Sequence, residues 1–408
     1  MILGTTKAVI MSTSLALLVG CQGGAAYIDN SFLQPDLGYQ RPHPQRPPGP
    51  SVPSPDEGEN TGPLTPVEES PTDTSPPSEE AGQNTPCGQA TISKIKAPGS
   101  EPVSLRCNIQ LSSRDVVTHQ LIFEGSAASN AVLDCGGGLI DVSSGGSRMQ
   151  KSGIIVRSTR IASGQWDAPR NVTIRNCRIR GFVRIYGLGE NANGEVMKAS
   201  SLKPDHTSYA QAAAPANVRF EKVQIEAPNG IPFYVGPGVI GAALVSSQIS
   251  GRSTAVAVYL DAESARNTIS GNVFSIKTDK RELIAIDGSA RNTISRNTFE
   301  NSDNGGIFVY RNCGEGGVIR HQKPEFNQIT QNTFRYSSGR QQPAVWLGSR
   351  NGGKDYCFTD PAYPFGSSAS NADFADYNDV EGNRIVGGDR NLIVSRGGNN
   401  VVRDNTSQ

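Results

Sequence analysis

The sequence predicts an all-β fold, a right-handed parallel β-helix, and three observations lead to that prediction. A short asparagine-containing frame recurs along the second half of the chain, an apolar strand precedes each copy, and β-branched residues, Asn and Gly outnumber good helix formers. Repeats at intervals of a few tens of residues are typical of solenoids, in which each repeat packs only on its neighbours. At about 22 to 30 residues per coil, the chain would form about ten to twelve coils.

The frame itself has a constant spacing. Each copy has Asn, an aliphatic residue two positions later and a second Asn five positions after the first. The copies lie at intervals of 25, 35, 51 and 22 residues, so that the longer intervals hold an inserted loop or an undetected coil. The copies are NTISGNVF from Asn267, NTISRNTF from Asn292, NQITQNTF from Asn327, NDVEGNRI from Asn378 and NVVRDNTS from Asn400, with looser copies NVTIRNCRI from Asn171 and NVRFEKVQI from Asn217.

The chemistry of the frame explains why stacked copies would be stable. Short strands alternate inward aliphatic and outward polar side chains. Asn suits the bend because its side chain bonds backbone amides and tolerates unusual backbone angles. Stacking would place Asn over Asn and Ile over Ile, so that a continuous core forms and each rung pairs with the next.

The frames, together with VLDCGGGLIDV from Val132, resemble the pectin-lyase-like β-helix superfamily over roughly residues 121 to 408. That resemblance implies a parallel β-helix. It does not choose an activity, because the superfamily includes hydrolases, lyases, epimerases, esterases and plain scaffolds.

The N-terminal residues are expected to direct export. Residues 1–20 contain Lys7 and a 13-residue apolar run that is too short to span a bilayer. The run ends in LVGC, which resembles a bacterial lipobox and implies cleavage before Cys21 and a lipid on its thiol. Gln22 after that cysteine would direct the protein to the outer membrane of a Gram-negative cell. We therefore expect a lipid-anchored envelope protein on its periplasmic or surface face.

A spacer would separate that anchor from the folded body. Residues 21–86 read as a disordered tether, since 13 of the 26 prolines lie between Arg41 and Pro86 and large apolar residues are scarce there. Such a segment cannot bury enough surface to offset its ordering entropy. The β-helix domain is predicted over residues 87–408.

Six cysteines remain after Cys21, an even number that suggests disulfides in an oxidising compartment. Six thiols allow 15 pairings, and proximity along the chain favours Cys87–Cys107, Cys135–Cys177 and Cys313–Cys357. Some of them can instead be free, buried thiols.

Several apolar strands end abruptly in a polar residue. The ends are Asp261, Asp287, Arg311, Arg350 and Arg396. The sequence SARNTIS follows both Asp261 and Asp287, which fixes the register of these two strands to within one residue. We therefore expect Asp261 and Asp287 on neighbouring rungs about 4.8 Å apart. Upstream rungs would add Arg157, Tyr186 and Tyr234 to the same column. Aromatic faces, carboxylates and guanidinium groups together suit a sugar chain, although ion pairs at strand ends are also common in solenoids without function.

The segment GGIFVYRNCGEGGVIRHQ from Gly305 gathers further polar groups one rung away. It contains Tyr310, Arg311, Glu315, Arg320 and His321. The candidate catalytic residues are therefore Asp261, Asp287, Glu263, Glu315 and His321, and the candidate substrate-binding residues are Tyr234, Tyr259, Tyr310, Arg311, Arg320 and Arg350.

Glycosidic hydrolysis is the first function that this carboxylate pair predicts. One carboxyl would protonate the leaving oxygen and the other would activate water or attack the sugar, with neighbouring like charges raising one pKa. The protein would then be a polysaccharide-degrading enzyme.

Two alternatives stay open. A lyase or C5-epimerase acting on a uronan needs a base and a cation, for which Tyr310, Arg311, Arg320 and His321 are suitable types, and His206 in PDHTSY is a further, weaker candidate base. A lipoprotein that only binds glycan or organises the envelope would also use a lipid, a tether and a repetitive scaffold.

Composition limits the partners. The 38 basic and 38 acidic residues leave no net charge, so we expect no nucleic-acid partner. The expected partners are a polysaccharide substrate and, through the lipid, a membrane, and we expect a monomer. No cofactor is required by this chemistry and no metal site is predicted, although calcium could bind to rung carboxylates.

Overall fold

Three long parallel sheets extend along the chain, and each coil contributes one strand to each of them. The computed structural model describes residues 85–143, 152–188, 194–313, 317–337, 339, 341–348 and 359–408. Within these residues each sheet follows a path of ten strands in chain order, and successive coils are neighbours. The predicted parallel β-helix is therefore confirmed, with ten coils in the described residues. The predicted signal peptide, Cys21 and nearly all of the tether lie outside them.

Sheet 1 includes or borders several of the candidate site residues, among them Asp261 and Asp287. Its strands are Val103–Ser104, Leu121–Glu124, Ser152–Arg157, Phe182–Ile185, Phe233–Val235, Val258–Leu260, Ile284–Asp287, Ile307–Tyr310, Val345–Leu347 and Ile393–Ser395.

Sheet 2 follows sheet 1 in each coil after a turn. Its strands are Ile109–Gln110, Val132–Asp134, Thr173–Arg175, Arg219–Glu221, Ala243–Val245, Thr268–Ser270, Thr293–Ser295, Gln328–Thr330, Asp379–Glu381 and Val401–Arg403.

Sheet 3 completes the coil. Its strands are Val116–Val117, Leu139–Asp141, Arg178–Arg180, Gln224–Ala227, Gln248–Ser253, Val273–Phe274, Thr298–Phe299, Thr333–Arg335, Arg384–Val386 and Thr406–Ser407, with Lys277–Thr278 beside the end of Gln248–Ser253.

Helices occur at the N-terminal end and in insertions. They are α1 (Gln89–Lys96), α2 (Gly194–Ser201), α3 (His206–Ala213) and α4 (Gly366–Ala369), with 3-10 turns at Ser126–Ala128 and Arg390–Leu392. A small antiparallel hairpin pairs Thr159–Arg160 with Trp166–Asp167. Among the described residues, no helix has both the length and the apolar character needed to cross a bilayer.

Two asparagine ladders run along the inside of the turns on either side of sheet 2. Asn267, Asn292, Asn327, Asn378 and Asn400 form the first, and in each step the side-chain oxygen accepts the backbone N–H of the preceding Asn at 2.7–3.0 Å. The second ladder contains Asn272, Asn297, Asn332, Asn383 and Asn405. These buried amides satisfy turn backbone groups that would otherwise be desolvated without a partner.

The unusual backbone angle falls on the residue before each ladder Asn, rather than on the Asn itself. Arg266 and Arg291 have φ of 57° and 58°, for example. In the upstream coils the strand pairing is shifted by one residue from the alignment of the frames. Thr173 pairs with Arg219, and the same position in later coils is Ala243 and then Thr268. Asn171 therefore corresponds to Arg266 and not to Asn267, because the upstream frames contain one more residue before the aliphatic position.

A column of phenylalanines fills the core under sheet 3. Phe274, Phe299 and Phe334 are fully buried, and adjacent rings are stacked at 4.8 and 4.9 Å between centroids. Ile385 continues the column on the next coil. The eighth position of the frame therefore points into the core.

Two disulfides tie early coils together. Cys87 bonds Cys107, and Cys135 bonds Cys177, as proximity along the chain predicted. Cys313 is also disulfide-bonded, and its partner lies outside the described residues, as does Cys357.

Candidate functional site

The strand register of sheet 1 creates two outward columns of side chains. Tyr234 lies beside Tyr259, and Tyr259 lies beside Ala285. The second column lies two positions later, just after the strand ends. Leu260 pairs with Ile286, so the next residues, Asp261 and Asp287, are level with each other. The expected adjacency of the two aspartates is present in the structure. Tyr234 belongs to the first column, two positions before the strand-end column in which the sequence placed it.

A single guanidinium group bridges the two aspartates. Arg320 Nη1 lies 3.0 Å from Asp261 Oδ1 and 3.2 Å from Asp287 Oδ2. The side chain of Asp261 is 13% exposed, that of Asp287 0% and that of Arg320 18%. The carboxylates therefore face a cation and not an open space, which the sequence did not reveal.

Each aspartate also accepts a hydrogen bond from a tyrosine of the first column. The Tyr234 hydroxyl donates to Asp261 Oδ2, and the Tyr259 hydroxyl donates to Asp287 Oδ2 at 2.5 Å. The two rings are stacked with centroids 5.9 Å apart. The result is two Tyr–Asp pairs on consecutive rungs, joined through Arg320.

The remaining contacts make the two aspartates unequal. Asp287 accepts the backbone N–H and the side-chain amide of Asn312, both at 2.8 Å, in addition to Tyr259 and Arg320. Asp261 accepts only one further hydrogen bond among those described, from the backbone N–H of Ala262. Asp287 is thus enclosed and fully bonded, whereas Asp261 is the carboxylate that a ligand can reach.

Burial shifts the pKa values of the reachable groups upward. Desolvation raises the pKa of Asp261, with a contribution from Asp287, while Arg320 opposes the rise. Burial and the adjacent carboxylates also raise the pKa of Tyr234 and Tyr259 well above the ordinary tyrosine value. At neutral pH the tyrosines are therefore proton donors, and Asp261 is a stronger base than an exposed aspartate.

A strap, residues 317–322, carries Arg320 across the outer side of sheet 1. The backbone N–H of Ile319 donates to Ser201 Oγ, and that of Arg320 donates to Ser367 Oγ. The backbone N–H of His321 donates to Glu263 Oε1, and all three distances are 2.7–3.0 Å. These anchors belong to α2, to α4 and to the turn after Asp261. The position of Arg320 thus depends on three separate segments.

Glu263 holds this strap and does not face a substrate. Its buried carboxylate accepts the Thr207 hydroxyl at 2.5 Å and the backbone N–H groups of His321 and Gln322. A carboxylate saturated in this way is a positioning residue. Its expected catalytic role has no geometric support.

His321 points away from the aspartates. Its Nε2 bonds the backbone carbonyl of Ser201 at 2.8 Å, and its ring packs at 5.0 Å on His206 and at 4.8 Å on Phe365. His206 is fully buried, with Nδ1 bonded to Ser200 Oγ, and its Nε2 has no hydrogen-bond partner among the described residues. The two histidines form part of the packing under the strap.

Acid is expected to weaken that packing. Burial, with His321 nearby, lowers the pKa of His206 below 6.5, while Glu263 and Asp205 oppose the shift. A lowered folded-state pKa means that the unfolded chain binds the proton first, so stability falls as pH drops below 6.5. We expect a loss of up to about 1.4 kcal/mol per pH unit from this residue.

Denaturation of the parent and of His206→Asn between about pH 7.5 and 5.5 would measure this loss. Asn can keep the bond to Ser200 without titrating, and the other three histidines are present in both proteins. Parallel pH dependences of the two proteins would contradict the assignment.

Arg311 is buried against the inserted segment that includes Ser370 and Phe374, contrary to the expected groove position. The register pairs Asp287 with Tyr310, so Arg311 lies one residue beyond the column. Its guanidinium donates to the backbone carbonyl of Ser370 at 2.7 Å and lies 4.7 Å above the Phe374 ring. Burial lowers the pKa of Arg311 to about 10. Glu315 and Arg350 lie outside the described residues.

Tyr310 crosses the face of sheet 1 toward a second acidic group. Its hydroxyl donates to Glu282 Oε1 at 3.2 Å and accepts from Arg281 Nη2 at 3.1 Å. Glu282 is buried and forms a two-pronged ion pair with Arg281. Sequence analysis overlooked this pair because it precedes its strand instead of ending it.

An aromatic surface continues beyond the tyrosines. Phe308 and Trp346 follow Ala285 in the first column, and their rings are 5.0 Å apart. Gly305, with φ of 110°, makes room for Phe308, since a Cβ there would lie 2.8 Å from Cζ of its ring. The alternation in IFVY and VWL was the signal that could have predicted these two residues. Phe308 is buried and Trp346 is half-buried, so Trp346 is the more accessible ring of the two.

A metal site is not apparent in this part of the molecule. Among the described residues, no three or more His, Cys, Asp or Glu side chains lie close enough to hold an ion. Calcium binding stays a prediction.

Comparisons with known proteins give only distant structural similarity. No protein-family model matches the sequence, and no curated protein is significantly similar to it. The A-module of a mannuronan C-5 epimerase from Azotobacter vinelandii aligns at 13% identity, covering 78% of this chain and 94% of its own, with a TM-score of 0.27.

Two further solved structures align over similar lengths. An alginate lyase from Paenibacillus sp. str. FPU-7 shows 11% identity over 76% of this chain and 98% of its own, with a TM-score of 0.25. A PL6 alginate lyase in complex with a trisaccharide shows 8% identity over 80% and 83%, with a TM-score of 0.22. Scores this low leave the function to be argued from the site itself.

Proposed function

We propose that this protein binds an acidic polysaccharide along the outer face of sheet 1 and removes the C5 proton of a uronate residue. The observation that carries the proposal is the pair of Tyr–Asp units, Tyr234–Asp261 and Tyr259–Asp287, joined by Arg320. It places a base, a neutral acid and a cation within two rungs. Those are the groups that β-elimination or epimerisation of a uronan requires.

Asp261 is the base in this mechanism. It is the reachable carboxylate, and its raised pKa increases its affinity for the C5 proton. Arg320 supplies positive charge where negative charge develops on the uronate carboxyl group as that proton leaves. Tyr234 orients the base through its hydrogen bond to Oδ2.

Tyr259 is the acid. In elimination the C5 proton passes to Asp261, the C4–O bond breaks, a C4–C5 double bond forms and the leaving oxygen takes the Tyr259 proton. In epimerisation no bond to oxygen breaks, and a proton returns to the opposite face of C5. The bond from Tyr259 to Asp287 fixes the hydroxyl in position for either outcome.

Hydrolysis, which the aspartate pair first suggested, fits this geometry less well. A hydrolase needs two carboxyl groups on either side of the scissile bond, with room for a sugar or a water between them. Here Arg320 Nη1 lies between the nearest oxygens of the pair, and Asp287 already accepts four donors.

A non-catalytic glycan-binding role is the second candidate. The observation that favours it is that the charged groups of the site are already paired with one another, with Asp287 wholly enclosed. The lipid on Cys21, the tether and the location in the outer membrane belong to the proposal in either case. They would hold a polysaccharide-binding domain at the envelope.

One incubation distinguishes these functions. The protein is mixed with a panel of uronans that includes alginate, and with neutral glucans, in deuterated buffer. We expect either ultraviolet absorbance from an unsaturated uronate or deuterium at C5 by NMR. New reducing ends without unsaturation would establish a hydrolase. Binding without any of the three changes would establish a binder, and both results would overturn the proposal.

A further inference from the structure

A row of left-handed residues forms a ridge along the turn between sheets 1 and 2. Nine coils each contribute one residue to this row. In each coil it lies two positions before the first residue of the sheet 2 strand, and the residue between them points inward. In chain order they are Asn130, Asn171, Asn217, Gly241, Arg266, Arg291, Phe326, Tyr377 and Asn399. We call this row the turn ridge. Asn and Gly are the residues that tolerate this conformation best.

Four positions on the turn ridge depart from that rule: two are arginines, Arg266 and Arg291, and two carry bulky aromatic side chains. Phe326 and Tyr377 have φ of 60° and 55°, which bulky side chains seldom adopt. Neither contributes to the core, since Phe326 is 45% exposed and Tyr377 is 49% exposed. The chain thus accepts backbone strain at two neighbouring coils and leaves about half of each ring exposed outside the core, which points to a role in binding.

The exposed rings are ordered before any ligand arrives. Phe326 and Tyr377 stack with centroids 5.5 Å apart and planes 21° apart, and the Arg291 guanidinium lies 4.6 Å above the Phe326 ring. The next coil carries the smaller Asn399 at this position. A rigid aromatic surface loses little conformational entropy on binding, which favours affinity.

The turn ridge also presents uncompensated positive charge. Arg266 and Arg291 are exposed, and neither forms an ion pair with another described residue. Coils repeat at about 4.8 Å, close to the length of one hexose unit in an extended chain. Two cations followed by two aromatic rings at this spacing match a linear chain of acidic sugars.

We propose that Arg266, Arg291, Phe326 and Tyr377 form a second binding site for an acidic polysaccharide, separate from the Tyr–Asp site. Carboxylates would pair with the two arginines, and sugar rings would contact the exposed parts of the two aromatic side chains. The turn ridge borders the catalytic face, because Arg266 follows Asp261 by five residues and Arg291 follows Asp287 by four. A long polymer can therefore be held beside the site that acts on it.

The upstream coils supply the test variant. Phe326→Asn with Tyr377→Asn installs the residue that stands at Asn171 and Asn217, so it removes the rings and relieves the strain. We expect the Kd for a long uronan, measured by calorimetry, to rise at least about tenfold. The thermal midpoint should stay unchanged or rise, and turnover of short oligosaccharides should be unchanged.

Charge is tested separately. Arg266→Gln with Arg291→Gln should also raise the Kd about tenfold or more and reduce its salt dependence. The matched control is Arg106→Gln with Arg114→Gln, which removes two exposed charges at the N-terminal coils and should change nothing. Single-stranded DNA and a neutral glucan complete the set of probes.

The results separate this site from the proposed activity. Unchanged uronan affinity in the ring variant would overturn the second site, whether or not the protein is an enzyme. Equal losses of affinity for DNA or neutral glucan would overturn the assignment to acidic polysaccharide. A protein that binds through the turn ridge but converts no uronan would leave this inference intact and refute the catalytic proposal.

Discussion

Replacing Tyr259 with phenylalanine is expected to lower the turnover of a uronan about 10²- to 10⁴-fold, the usual contribution of a positioned acid. The substitution removes one hydroxyl and keeps the ring that stacks on Tyr234. Asp287 retains Asn312 and Arg320 as donors, so the free energy of unfolding should change by only about 1 kcal/mol. Initial rates from product absorbance or deuterium exchange, alongside chemical denaturation, provide both measurements.

Tyr336→Phe is the matched control for that experiment. Tyr336 is also buried, and its hydroxyl donates to the backbone carbonyl of Gln342 at 2.9 Å, beside a different sheet from the Tyr–Asp units. The control deletes the same atom and should keep full activity. An equal loss in both variants, or full activity in Tyr259→Phe, would contradict the role of Tyr259 as the acid.

Phe299→Ala should produce the largest loss of stability. Phe299 is fully buried between Phe274 and Phe334, and its removal would leave a cavity in the middle of the ring column. Such truncations cost about 3–5 kcal/mol. In a solenoid each coil is supported by its two neighbours, so the damage should reach both adjacent coils.

Denaturant unfolding with Val273→Ala as a control would measure this effect. Val273 lies on the same sheet and is substantially exposed, so its truncation should change stability by no more than about 0.5 kcal/mol. A loss below about 1 kcal/mol for Phe299→Ala would show that the column does not stabilise the domain as a continuous core.

The binding face could be predicted in part. Repetition of SARNTIS made the adjacency of Asp261 and Asp287 predictable, because identical frames must stack in register. The same reasoning failed for Arg311, because Tyr310 occupies the position level with Asp287 and Arg311, one residue further on, is buried against Ser370 and Phe374. A single-residue error in a strand reverses the face on which a side chain lies.

Tyrosine–aspartate pairing was beyond sequence reasoning for a related reason. Tyr234 and Tyr259 were assigned to substrate binding, but their hydroxyl groups reach one coil onward to Asp261 and Asp287. Neither partner is a sequence neighbour of the other, with separations of 27 and 28 residues. The orientation of each tyrosine ring on the sheet determines which carboxylate its hydroxyl group reaches.

By itself the sequence determined the stack of coils, the two asparagine ladders and the ring column, because each depends on a local frame that meets a copy of itself one coil away. The tertiary structure alone decided where Arg320 lies. Its strap belongs to an insertion without a repeat, and it is held by Ser201, Ser367 and Glu263 from three distant segments. Hydrogen bonds between such segments form only after the coils have stacked, so no local pattern encodes them.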